Sequence, residues 1–244
     1  SNYILSSMDK MNKNFDEVLK KAKRLGYAES NPLADLNGDD VSAKLKILSS
    51  LCFNSFLNDN IYVEGIKEID TTDIDNANKL GYKIKLLGFA ELLNNNIYQR
   101  VHPTLIKKNT YVASIDGVLN AVIIDGKPVG QSIIQGEGAG PAATTSALIS
   151  DISSILRGNV KFPFSVSSRE RKKLKFSNIE ERLFSAYLRF EVMDKPGVLS
   201  NITSIFSKNK VSIKRLVQNP NKNKKISSIL RGNVKFPFSV SSRE

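Results

Sequence analysis

The 244-residue chain has no tryptophan, a single cysteine and a single histidine. A lone thiol, Cys52, closes no internal disulfide, which fits a reducing compartment. With so few soft ligands, no His/Cys/carboxylate cluster has metal-ligand spacing, so no metal is expected. His102 precedes Pro103, and nothing is spaced to orient it as a base; an ordinary residue at a strand end is expected. Cys52 is expected on the inner side of a helix, in the core. No apolar run approaches membrane-spanning length. The opening Ser1-Asn2-Tyr3-Ile4-Leu5 lacks the basic start and apolar stretch of a signal peptide. A cytoplasmic protein without a membrane partner follows as the expectation. The chain also opens mid-pattern without an initiator Met, which is expected of a fragment. Nowhere is there a strand–GxGxxG–helix unit, the fingerprint of a dinucleotide-binding domain.

What is present is an ordinary globular composition, 41% hydrophobic, enough for a packed core. Lys and Arg number 36 against 24 Asp and Glu, a net charge of +12. That excess invites a nucleic-acid reading. Its densest runs, Arg169–Lys175 and Lys222–Lys225, lie between periodic segments, and the aromatics are not interleaved with them as base stacking requires. Nucleic acid is therefore not an expected partner.

Phe15–Leu25 carries apolar residues at helical spacing, and Gly26 stands where the helix would be capped. Residues 28–39 form a polar loop, and a second helix runs from about Asp39 to Phe56. Strands are expected at Lys79–Leu87, Ile97–Val101, Thr110–Ile115, Ala121–Ile124 and Val129–Gln135. Gly136-Glu137-Gly138-Ala139-Gly140-Pro141 then launches a helix to about Leu156. Alternating strands and helices place the chain in the α/β (α+β) class, a mixed sheet covered by helices. A separate βαβ follows: strand Tyr187–Val192, helix Val198–Ser207, strand Val211–Val217. Ile226–Glu244 then repeats Ile152–Glu170 letter for letter. Structural repeats diverge and recur at a period. An identical pair suggests a joining accident, with the second copy foreign to its place.

On the second helix Asp40 and Lys44 are four apart and share a face, which continues through Ile47, Leu48 and Leu51. A lysine at the edge of an apolar stripe, partly desolvated beside a carboxylate, suits proton transfer. Glu29 and Asp35 lie in the preceding loop and could converge on the helix start. On spacing alone, an ordinary i,i+4 salt bridge in an acidic first turn is the more frequent source of such a pattern. Gly136–Gly140 before a helix could cradle an anion, although on the residues alone a simple tight turn is the better explanation.

The stretches Asn2-Tyr3-Ile4-Leu5, Gly26-Tyr27-Ala28-Glu29-Ser30-Asn31-Pro32 and Asp35-Leu36-Asn37-Gly38-Asp39-Asp40-Val41-Ser42-Ala43-Lys44 closely resemble the substrate-binding core of homoserine dehydrogenases. The likeness continues through Glu64-Gly65-Ile66, Lys85-Leu86-Leu87-Gly88, Val101-His102-Pro103, Gly117–Val122, Gly136–Gly140 and Ser150-Asp151. It implies reversible reduction of L-aspartate 4-semialdehyde to L-homoserine with NADH or NADPH, in threonine, methionine and isoleucine biosynthesis. By the same resemblance Lys44 is the general acid, Glu29 and Asp40 hold the substrate ammonium, and Asp35 supports the polar network. Gly26, Gly136, Gly138 and Gly140 lie against the cofactor, with Thr144 and Ser146 near the helix start. Two positions depart from the pattern: Asn31 stands where the family usually has Asp, and Ala143 where it often has Pro. Residues 187–217, with Asp194-Lys195-Pro196-Gly197-Val198-Leu199, resemble the first half of an ACT domain, a ferredoxin-like module that by analogy binds threonine. The expected division is 1–165 catalytic and dimerisation domain, 166–185 basic linker, 186–221 partial ACT domain, and 222–244 junction and repeat. A homodimer or homotetramer is implied. In the family the nucleotide-binding domain precedes Asn2, so the isolated chain is expected to have little activity. A different class also fits, a non-enzymatic amino-acid-sensing or dimerisation module.

Overall fold

The computed structural model describes residues 1–57, 61–138, 140–159, 164, 166–177, 183–193, 195–220 and 225–235. The chain divides into two units: Ser1–Ala77 with Gly81–Phe176, and Asn78–Leu80 with Ser177–Glu244.

The first unit begins with helix α1 (Asn2–Met11), which buries Ile4, Leu5 and Met8, one helical stripe. Helix α2 (Phe15–Arg24) starts at Asn14, whose side chain accepts from the Glu17 amide at 2.9 Å. It buries Val18 and Ala22. Beyond its end, Gly26 turns the chain at φ +75°, the left-handed position of a helix terminus. The expected polar loop contains a short helix, α3 (Leu33–Asn37), and Gly38 passes directly into α4 (Asp39–Phe53). Helix α4 stops before Phe56 because Asn54 takes a left-handed conformation, φ +51°.

A short strand β1 (Tyr62–Val63) and helix α5 (Thr71–Lys79) come next. Strands β2 (Tyr82–Leu93) and β3 (Asn96–Lys107) form a long hairpin. They pair through to Leu93–Asn96 across Asn94 and Asn95, both at positive φ as a two-residue hairpin turn requires. The expectation of a strand from Lys79 is corrected here, since Lys79 ends a helix whose buried residues include Ile74 and Ala77. The expected strand at Thr110–Ile115 is instead helix α6 (Tyr111–Ser114). Its hydroxyls bond locally, Thr110 to the Lys107 carbonyl and Ser114 to that of Tyr111, in place of a ladder. Strands β4 (Leu119–Gly126) and β5 (Gly130–Glu137) form a second hairpin, helix α7 (Pro141–Leu156) follows, and β6 (Lys175–Phe176) closes the unit. The main sheet is mixed, ordered β1-β3-β2, with β1 and β6 parallel to β3 and β2 antiparallel to it. Helices α1 and α4 pack against β2.

In the second unit, strand β7 (Leu183–Met193), helix α8 (Val198–Lys208) and strand β8 (Ser212–Pro220) form the expected βαβ. Phe206 of α8 is buried edge-on against Phe190 of β7. Strand β9 (Lys225–Lys235) lies between β7 and β8, antiparallel to both. All but the first of its residues belong to the repeat.

Candidate active site

Helices α3 and α4 meet at Gly38, φ +89°, which is wedged against the sheet. A Cβ there would lie 3.1 Å from Val63 Cγ1 and 3.4 Å from Val101 Cγ1. Gly65 approaches more closely still. A Cβ would overlap the Leu36 carbonyl oxygen and stand 2.6 Å from Asn37 Cα. The next amide, of Ile66, donates to that same Leu36 oxygen at 2.8 Å. Backbone packing on both sides thus fixes the turn that presents Asp35, Asp40 and Lys44.

Lys44 Nζ donates to Asp40 Oδ2 at 2.6 Å, an i,i+4 ion pair in the first turns of α4. The Ser1 hydroxyl donates to the Asp35 carbonyl at 2.7 Å. Asp35 in α3 and the Asp40–Lys44 pair in α4 thus flank the Gly38 junction. Tyr27 meets Tyr3 with ring centroids 5.1 Å apart, which holds the loop after α2 near the start of α1. Glu29, further along that loop, is exposed and has no hydrogen bond or ion pair to the cluster among the described residues. Gly26 has open space where a Cβ would be.

The face of α4 differs from expectation. Lys44 and Asp40 are 57% and 40% exposed, and Ile47 and Leu51 lie open as well. The helix buries Ser42, Leu45, Ser49 and Ser50 instead. Small hydroxyl side chains let it sit close on the sheet: Ser49 donates to the Leu45 carbonyl and receives Gln99 of β3, and a Cβ at Gly88 of β2 would lie 3.3 Å from Val41. Satisfied serines outcompete the more apolar stripe because they permit the shorter approach. Cys52 falls on the open side and is exposed, not core. His102 stands within β3, not at a strand end, with Nδ1 2.8 Å from the Pro103 carbonyl and its ring stacked on Phe89. Burial pushes its imidazole below the ordinary range.

Gly136 lies in β5 opposite Asn120. The Gly138 amide donates to the Val118 carbonyl at 3.0 Å, and the Asn120 side chain fills the space a Cβ would need. Gly140, φ +117°, is the N-cap of α7, with Pro141 in the first turn and no side-chain cap. Thr144 returns both its amide and its hydroxyl to the Gly140 carbonyl. With no acidic residue in its first turn, this uncapped end leaves backbone N–H groups suited to an anion.

A second polar centre lies behind α1. Asp116 is met by Lys85 at 2.7 Å, Lys10 at 3.1 Å and Lys83 at 3.2 Å. Their ammonium groups hold its carboxyl down at about 2 even though burial opposes them. Burial pushes Lys85 down, and Asp116 opposes that. Among the described residues no group of three or more His, Cys, Asp or Glu side chains could hold a metal, and no helix is long and apolar enough to cross a membrane.

The family model described as homoserine dehydrogenase matches residues 1–153. The chain belongs to the homoserine dehydrogenase family. An ACT domain model matches residues 186–235, so the match runs through β9 and into the repeat. The chain is 38% identical over 225 residues to the homoserine dehydrogenase of Neisseria gonorrhoeae, covering 89% of this chain and 52% of that protein. Among solved structures, a homoserine dehydrogenase from Thiobacillus denitrificans superposes with a TM-score of 0.85 at 36% identity, covering 96% of this chain and 55% of that one. A hyperthermophilic archaeal homoserine dehydrogenase mutant in complex with NADPH gives 0.51 at 27% identity, over 64% of this chain and 44% of that one. The chain spans about half the length of the curated relatives it matches. Sequence reasoning gave Ser1 and Gly65 no role and Gly38 only that of punctuating the 28–39 loop, because close backbone approach leaves no periodic signal.

Proposed function

We propose that this chain carries the substrate and proton-transfer side of an enzyme that interconverts L-aspartate 4-semialdehyde and L-homoserine with NADH or NADPH, within threonine, methionine and isoleucine biosynthesis. The observation that supports it best is the 2.6 Å Lys44–Asp40 pair at the start of α4, across the Gly38 junction from Asp35. A reduced nicotinamide, when bound, would supply the hydride that the aldehyde carbon takes up. Lys44 stabilises the charge that builds on the oxygen and gives it a proton, directly or through water. Asp40 and Glu29 hold the substrate ammonium, with Glu29 free to swing in from its exposed position, and Asp35 supports the network. The uncapped start of α7, with Gly136, Gly138 and Gly140 before it, suits the anionic part of the cofactor, and Gly26 borders it. The archaeal relative's NADPH is consistent with this cofactor class.

The rest of the reading is a cytoplasmic homodimer or homotetramer with threonine as the ligand of the ACT unit. The 166–185 linker and a foreign origin for the second repeat copy belong to the same proposal, as does low activity of the chain alone. The test joins the nucleotide-binding part of a relative to Ser1 and follows NADPH oxidation with aspartate semialdehyde. Lys44→Ala should lower kcat by about 10²-fold or more; undiminished turnover would sink the proton-donor role. The competing reading, an amino-acid-sensing module, gains only if the joined protein is inert while the ACT unit still binds an amino acid.

A further inference from the structure

Lys85, on β2, is the one buried lysine among the described residues, 5% exposed. Its ammonium has three protons and three acceptors: Asp116 Oδ1 at 2.7 Å, Asn2 Oδ1 at 3.1 Å and the Ile115 carbonyl. Asn2 is saturated in turn. Its Nδ2 donates to the carbonyls of Ile115 at 3.1 Å and Leu119 at 2.8 Å. The amide can face only one way, because its oxygen must meet the ammonium and its nitrogen the carbonyls. From this node two paths diverge. One residue back, the Ser1 hydroxyl holds the Asp35 carbonyl at 2.7 Å. In the other direction Leu119 opens β4, and the adjoining Val118 carbonyl receives the Gly138 amide at 3.0 Å.

We propose that Lys85 is a positioning residue: through Asn2 it sets the register between the Asp35–Lys44 cluster and the Gly136–Gly140 approach to α7. This rests on the reading above, in which the first is the substrate side and the second the cofactor side. An apolar side chain of similar length would fill the same space, and a buried ammonium is costly to desolvate. What the ammonium adds is direction. It selects one orientation of the Asn2 amide, and with it one spacing between two segments 80 or more residues apart. Dehydrogenase chemistry is sensitive to that spacing, since hydride transfer tolerates little misplacement.

The test uses the full chain and its Lys85→Met and Asn2→Ala variants. Amide hydrogen exchange is read over residues 33–40 and 115–138, and L-homoserine affinity by titration. Lys85→Met is expected to speed exchange about tenfold in both stretches together and to weaken L-homoserine about tenfold, the size of one hydrogen bond to a charged group. Asn2→Ala leaves the Lys85–Asp116 pair intact and should give the same paired acceleration; it decides alone if Lys85→Met does not fold. Acceleration confined to 115–138, or spread evenly through the β2–β3 hairpin with L-homoserine affinity unchanged, would overturn the proposal. If the wild-type chain binds no L-homoserine, the titration bears on the functional reading, which the joined protein tests, and the paired exchange result still decides this one.

Discussion

A methyl group added at Gly65 would overlap the Leu36 carbonyl oxygen and crowd Asn37 Cα, both backbone atoms that no rotamer change can move. Gly65→Ala is expected to destabilise the first unit by about 1–3 kcal/mol, read from a denaturant midpoint. It should also disturb the turn presenting Asp35 and Asp40; an unchanged midpoint would mean that α3 and β1 can part at little cost. Asp116 makes a prediction of opposite sensitivity. Its carboxyl is held at about 2 when folded, below the ordinary 3.8. The stability it contributes is complete above about pH 4 and is lost as pH falls toward 2. Asp116→Asn should flatten acid unfolding in that window and leave the neutral-pH slope alone. The Asp40–Lys44 pair was legible because an i,i+4 spacing fixes which side chains meet. Its exposure was not, because the buried face of α4 is chosen by how near Ser49 can bring the helix to Gln99, a matter of packing across fifty residues.

Among the elements, α2 was readable at both ends. Asn14 caps its start, and Glu17, three residues on, receives the Asn14 side-chain amide in return. Asn14→Ala should cost about 1 kcal/mol by thermal unfolding, as loss of such a cap does elsewhere. Helix α5 escaped notice because its Asn- and Asp-rich sequence has low helical preference, and burial of Ile74 and Ala77 overrides it. The repeat gives the sharpest case. Ile152-Ser153-Ser154-Ile155-Leu156 ends α7, whereas the same five letters at Ile226–Leu230 run through β9. No local signal separates them. Partners do: β9 is hydrogen-bonded on both edges, by β7 and β8. Ile229→Pro, which removes one ladder donor, should abolish exchange protection in β7 and β8. The equivalent change at Ile155 acts on a helix end and should leave those strands untouched.

At the scale of the whole molecule, charge and exposed apolar area compete. The chain carries +12, yet Leu148, Ile149, Ile152, Ile155 and Leu156 along α7 are each more than half exposed. An apolar stripe of that length favours self-association. Ile155→Lys should raise the concentration at which light scattering detects aggregates, with the melting temperature within a degree or two of the parent, since α7 has no buried residue to lose. The division of the chain falls at Ser177, ahead of the new strand that the sequence suggests near residue 186; the mixed sheet was legible as alternating strands and helices, and the insertion of β9 between β7 and β8 was not, because strand order is decided by pairing across the sheet. The open setting of Lys44 and Asp40 has a further consequence. Two unit charges about 4 Å apart attract by about 1 kcal/mol in water and several times that where water is displaced. Under the proposed function the strength of this pair would therefore be set by what covers it: a reactant or domain that displaced water over α4 would also amplify the field of charges already in place.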